Sequence, residues 1–76
     1  MEDLLNILNE IKPGVDFKKE KNLITDEIID SFDIVTLVSE INDKFDIDFP
    51  VSEVVPENFE SADVLYKTIQ RIKEGK

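Results

Sequence analysis

The sequence predicts an all-α fold, a small bundle of three main helices plus one short helix, with a long loop between helices 1 and 2. Three observations predict it. Apolar residues recur at i, i+3, i+4 and i+7 spacing in three separate stretches, which include Leu4, Ile34 and Leu65. Residues that suit a helix start precede each stretch: Glu2-Asp3, Asp30 and Ser61. Strand-like alternation appears only in Asp46-Ile47-Asp48-Phe49-Pro50, with no second run to pair with it. Seventy-six residues make one domain, 1–76, near the lower limit for a chain that folds without a disulfide or metal staple.

The first helix is expected from Glu2 to about Lys12. Leu4, Leu5, Leu8 and Ile11 form its stripe, Ile7 widens it, and Pro13-Gly14 stops it. Residues 13–29 then form a connection whose length points to function. Val15, Phe17, Leu23, Ile24, Ile28 and Ile29 are its expected anchors on the bundle. The second helix runs from Ser31 to about Phe45. Ile34, Val38, Ile41 and Phe45 make its apolar face, broadened by Val35 and Leu37, with Thr36, Ser39, Glu40 and Asp43 on the polar side. The run 46–50 reads as an extended linker with Ile47 and Phe49 buried. Val54, Val55 and Phe59 line a short third helix, a single turn beginning near Pro56. The last helix starts at its cap Ser61, with Val64, Leu65, Ile69 and Ile72 as its stripe.

Composition removes most chemistries. The chain has no Cys and no His, so disulfides, cysteine ligation of zinc and His- or Cys-based nucleophilic catalysis are excluded, and no zinc or other metal site is expected. Only two glycines are present, too few for a glycine-rich phosphate loop. Asp43, Asp46 and Asp48 lack the order of an EF-hand loop. The run of apolar residues needed to span a membrane is missing, and Met1-Glu2-Asp3 is not the basic start of a signal peptide, so a cytoplasmic protein is expected. The charge, −9 in total, is uneven: residues 26–60 carry eleven acids against Lys44 alone. This disfavours nucleic acid and favours basic protein surfaces as partners, through steering that weakens with salt.

The Asp30-Ser31 pair is the candidate site. Asp30 has the short acceptor side chain of an N-cap, which leaves Ser31 at the first helical position, beside unpaired N–H groups and the positive end of the helix dipole. A hydroxyl there is well placed to carry a phosphate. Ile28, Ile29 and Phe32 are expected to hold the turn rigid, with Phe32 as an anchor, while Asp33, Glu40 and Asp43 build a one-sign docking surface. The residues alone leave two readings open. One is a carrier modified at Ser31; the other is an acidic helical protein-interaction module without a prosthetic group.

The stretch Asp30-Ser31-Phe32 followed by Ile34, Val35, Leu37, Val38, Ile41 and Phe45, then Phe49-Pro50, resembles the acyl carrier protein family, and the resemblance spans nearly the whole chain in order. It implies an acyl-carrier-like bundle that is not itself an enzyme. Ser31 would bear a 4′-phosphopantetheine arm, attached by a phosphopantetheinyl transferase from coenzyme A, whose terminal thiol holds the cargo as a thioester. Asp30 and Phe32 would flank the attachment point. Asp33, Thr36, Glu40, Asp43 and Glu57 would contact partners: an acyl- or aminoacyl-activating ligase and a downstream acyltransferase or synthase with a basic docking surface. A monomer is expected. Phe32 stands where fatty-acid carriers usually have Leu, and Ile28-Ile29 where they have Gly-Ala. The motif is more similar to that of D-alanyl or aminoacyl carriers, although Glu27 stands where that subgroup usually shows Gly.

Overall fold

A computed structural model describes residues 1–75. Helix α1 spans Glu2–Ile11 and buries Leu4, Ile7 and Leu8, with Leu5 and Ile11 partly covered at the edges of the stripe. Lys12 closes it, its N–H donating to the Leu8 carbonyl at 2.8 Å. Pro13 cannot continue the helix, and Gly14 takes a left-handed φ of 92° that turns the chain away.

The long connection is held where its apolar residues predict. Phe17, Leu23 and Ile29 are buried, and Val15, Ile24 and Ile28 pack partly against the core. Residues 23–28 form one closed turn. The Ile28 N–H donates to the Leu23 carbonyl at 2.9 Å, and the Glu27 N–H to the Ile24 carbonyl at 3.0 Å. This is the hydrogen-bond pair of a Schellman ending, and Glu27 occupies its left-handed position with φ 59°. Glu60 pins the turn from across the fold. Its carbonyl accepts the Leu23 N–H, and its carboxylate accepts the Ile24 and Thr25 N–H groups at 2.9 and 3.0 Å and the Thr25 hydroxyl.

Helix α2, Ser31–Phe45, packs on α1 through buried Leu37 and Ile41 and partly buried Ile34, Val38 and Phe45. Two expectations on this helix are corrected. Val35 does not broaden the core face, because it is 70% exposed. Two helical residues rotate by about 200°, so Val35 cannot share a side with Leu37. Phe32 does not anchor the turn, because it is 84% exposed. It lies nine residues from Ile41, about two and a half turns, and so faces the opposite way.

At the end of α2, Asp46 turns left-handed (φ 53°), and the Ile47 N–H reaches back to the Asn42 carbonyl at 3.2 Å. The Asn42 side chain accepts the Phe49 N–H at 2.9 Å, which fixes the extended run and buries Ile47 and Phe49 as expected. The Phe49 and Phe59 rings meet at 5.6 Å between centroids. The expected single turn at Pro56 is present as a 3₁₀ helix, Pro56–Phe59, and a second one, Val51–Glu53, precedes it. Val54 and Val55 lie between the two rather than within a helix.

Helix α3, Ala62–Glu74, is capped by Ser61, whose Oγ accepts the Val64 N–H at 3.2 Å. It buries Ala62, Leu65, Thr68 and Ile69 against the Pro56–Phe59 turn and α1. Val64 stays half-exposed at the edge of that face. The interior position is filled instead by Thr68, whose hydroxyl is satisfied by donating to the Val64 carbonyl at 2.9 Å. The Arg71–Glu53 and Lys21–Asp63 ion pairs tie α3 to the Val51–Glu53 turn and to the long connection.

Candidate functional site

The start of α2 is built from two carboxylates. Asp30, in extended backbone, accepts the Asp33 N–H at 2.9 Å, and the Asp33 carboxylate accepts the Asp30 N–H at 3.2 Å. Each satisfies an amide donor that the helix start would otherwise leave unpaired, which makes a capping box. The bond from the Asp33 N–H holds the Asp30 carboxyl below its ordinary pKa.

Ser31 follows at the first helical position, as expected, and is exposed. Among the described residues the capping bonds are made without its hydroxyl. Two shallow grooves of about 310 Å³ each meet at this serine. One is lined by Ile24, Ile29, Ile34 and Pro56 together with Glu27 and Asp30. The other is almost wholly apolar and is formed by Ile34, Val35, Val54, Val55 and Pro56. The long connection, α2 and the segment around Pro56 thus converge on one free hydroxyl at a helix N-terminus. Such a hydroxyl is chemically suited to a phosphodiester, since the helix end favours a phosphate's negative charge.

The other expected residues separate into two groups. Thr36, Glu40 and Asp43 are exposed on α2, and Glu57 is exposed on the Pro56–Phe59 turn. Phe32 and Val35 stand on the outer side of the same helix. Asp33 is corrected: it is not a free docking acid. Its side chain is only 17% exposed and lies 3.2 Å from Lys12 Nζ, with its carboxylate engaged in the cap. The Asp-Ser-Phe-Asp spacing is the sequence signal for that cap, with Asp where a capping box usually has Glu or Gln. Lys12 and Glu60 carried no comparable local signal.

A further groove, about 510 Å³, lies between α1 and α2, away from Ser31, and is rimmed by Asp3, Glu10, Glu40, Asp43 and Lys44. No group of three or more His, Cys, Asp or Glu among the described residues is arranged to hold a metal ion. No helix among them is long and apolar enough to cross a membrane.

A family model described as a phosphopantetheine attachment site matches residues 2–72, nearly the whole chain. The chain belongs to that family, whose members are acyl-carrier-type domains bearing covalently attached 4′-phosphopantetheine. No curated protein and no solved structure gives a significant match to this chain.

Proposed function

We propose that Ser31 is the attachment residue and that the chain works as an acyl or aminoacyl carrier with no catalytic activity of its own. The observation that carries this reading is the free, exposed Ser31 hydroxyl at a capped helix start, flanked by two grooves of which one is almost wholly apolar, in a chain of this family. The residues present fit the group. Ser31 offers the oxygen for the phosphodiester, the start of α2 favours its charge, and the grooves leave apolar surface on either side. When bound, the group supplies a terminal thiol that holds cargo as a thioester, which a chain without cysteine cannot otherwise provide.

Attachment is a substitution at phosphorus. The bond from Ser31 Oγ to the pantetheine-bearing phosphate of coenzyme A forms as the bond to the nucleotide phosphate breaks. The nucleotide bisphosphate leaves, and the hydroxyl proton passes to a base of the transferase. The chain itself supplies orientation: Asp30 and Asp33 fix the turn, and Phe32 and Val35 present apolar surface next to it.

Partners in this reading are a phosphopantetheinyl transferase, an acyl- or aminoacyl-activating ligase, and a downstream acyltransferase or synthase. Each meets Thr36, Glu40, Asp43 and Glu57 through a basic surface, and the excess of acids in residues 26–60 supports that steering. The reading includes a single carrier domain over 1–76 that acts as a cytoplasmic monomer. Its net charge of −9 disfavours self-association.

The test is intact-protein mass after incubation with coenzyme A and a broad-specificity phosphopantetheinyl transferase. A gain of one phosphopantetheine in the wild type, absent in a folded Ser31→Ala variant, is the expected result. Modification of Ser31→Ala sinks the assignment of Ser31. A folded wild type that takes no group leaves the acidic interaction module as the better account.

A further inference from the structure

Lys12 lies outside every site residue considered above, yet its ammonium reaches the candidate site from the end of α1. Its Nζ is 3.2 Å from Asp33 Oδ2, the same oxygen that accepts the Asp30 N–H. A capping box normally closes with Glu or Gln at the third helical position. Here Asp33 is one methylene shorter, and its bond to the Asp30 amide, 3.2 Å, is at the upper end of the ordinary range. The box also sets two carboxylates, Asp30 and Asp33, against each other in a segment whose one base, Lys44, is in the last turn of α2. A short acceptor beside a like charge tends to swing out to water. The cation from α1 opposes that, because it attracts Asp33 and favours ionised Asp30 as well.

We propose that Lys12, acting through Asp33, is a positioning residue for Ser31: it holds the capping carboxylate in place and thereby the turn that presents the serine hydroxyl to a transferase. The inference rests on the reading of Ser31 as the attachment residue. It gives Asp33 a role distinct from partner docking. It also separates two effects of removing the Lys12 charge. Loss of positioning lowers the rate from the bound complex, since the hydroxyl spends less time aligned on phosphorus. Loss of a positive charge from the carrier, by contrast, leaves unchanged or strengthens encounter with a basic partner.

The experiment measures phosphopantetheine transfer from saturating coenzyme A to wild type, Lys12→Met, Lys12→Arg, Asp33→Asn, the Lys12→Met/Asp33→Asn double variant and Lys19→Met, with carrier concentration varied. Lys19 is an exposed cation of the long connection and controls for net charge. Lys12→Met is expected to lower kcat about three- to fivefold, the range open to a partly exposed ion pair, with KM unchanged or lower. Lys12→Arg restores the rate and Lys19→Met keeps it. The Lys12→Met/Asp33→Asn double variant loses no more than the larger single loss, because the two act as one unit. An unchanged kcat in Lys12→Met, an equal loss in Lys19→Met, or an effect confined to KM overturns the inference while leaving the carrier reading intact. A wild type that accepts no phosphopantetheine overturns both.

Discussion

At Glu27 the backbone holds a left-handed conformation (φ 59°) that an ordinary side chain disfavours. The reason is local: the turn 23–28 needs a residue at the position where a Schellman ending reverses the chain, and glycine is the usual solution. This is also the physical sense of the Gly commonly found there in the carriers that the motif resembles. Glu27→Gly is therefore expected to stabilise the fold by about 1 kcal/mol, the left-handed penalty less glycine's extra unfolded-state freedom. Chemical denaturation checks it, and a lower midpoint in the variant would show that the Glu27 side chain contributes more than its backbone strain removes. Ser61 is the opposite case, a buried residue whose side chain serves the backbone. Ser61→Ala removes the acceptor of the Val64 N–H and should destabilise by about 1 kcal/mol, read from the same curves.

At the scale of elements, α2 presents two unlike faces, and single truncations should separate them. Leu37→Ala empties a fully buried position and is expected to cost about 2–5 kcal/mol, a large part of what a domain of this size possesses. Val35→Ala, two residues away and exposed, should stay within about 0.5 kcal/mol. Equal losses in the two variants would mean that the helix is rotated from the orientation described above. The helix starts were legible in the sequence because a cap is local chemistry: Asp30 and Ser61 need only their own next turn. Most of the buried set was legible, from helical spacing or, for Phe17, Leu23, Ile47 and Phe49, as apolar anchors in segments without regular structure; Ala62 and Thr68 carried no such signal. The outward orientation of Phe32 and Val35 was not, because an apolar residue at the edge of a stripe reads as core until the partner helix fixes which arc is covered. Glu60 and Lys12 were illegible for another reason. Their partners, Ile24, Thr25 and Asp33, lie 21 to 36 residues away in sequence, so only the folded chain brings them together. The Glu60 latch has a pH signature. The Thr25 hydroxyl and the amides of Thr25 and Ile24 hold its carboxyl below the ordinary 4.5. A depressed folded-state pKa means its stabilisation is complete above that value and disappears as pH falls through the lower folded value. Glu60→Gln should thus melt below wild type at neutral pH, and the gap should close in acid. A gap that persists undiminished below the folded pKa would show that the charge is not what holds the turn.

The whole molecule carries an electrostatic conflict that no single residue reveals. Eleven acids and one base occupy residues 26–60, and the described portion measures only 33 × 22 × 20 Å. In dilute salt the screening length is about 30 Å at 0.01 M, so nearly every acid of that segment feels the others; at 1 M it is about 3 Å. Added salt acts in both directions. It weakens the Lys12–Asp33, Lys21–Asp63 and Arg71–Glu53 pairs, each partly exposed and therefore individually weak. It also relieves a repulsion summed over many pairs of like charge that have only one base among them. The repulsion is the larger quantity, so Tm is expected to rise from about 0.01 M to about 1 M sodium chloride. Each kcal/mol gained corresponds to about 4–8 °C for a domain of this size. Chloride is preferable to sulfate, which would add a stabilising effect on apolar burial and obscure the screening. Replacing Asp43 and Glu40 by Asn and Gln, two exposed acids of α2, should reduce the salt response while leaving the core untouched. If Tm is flat or falls across the titration, the three ion pairs outweigh the acidic segment, and the concentration of charge around Ser31 is then tolerated without measurable loss of stability.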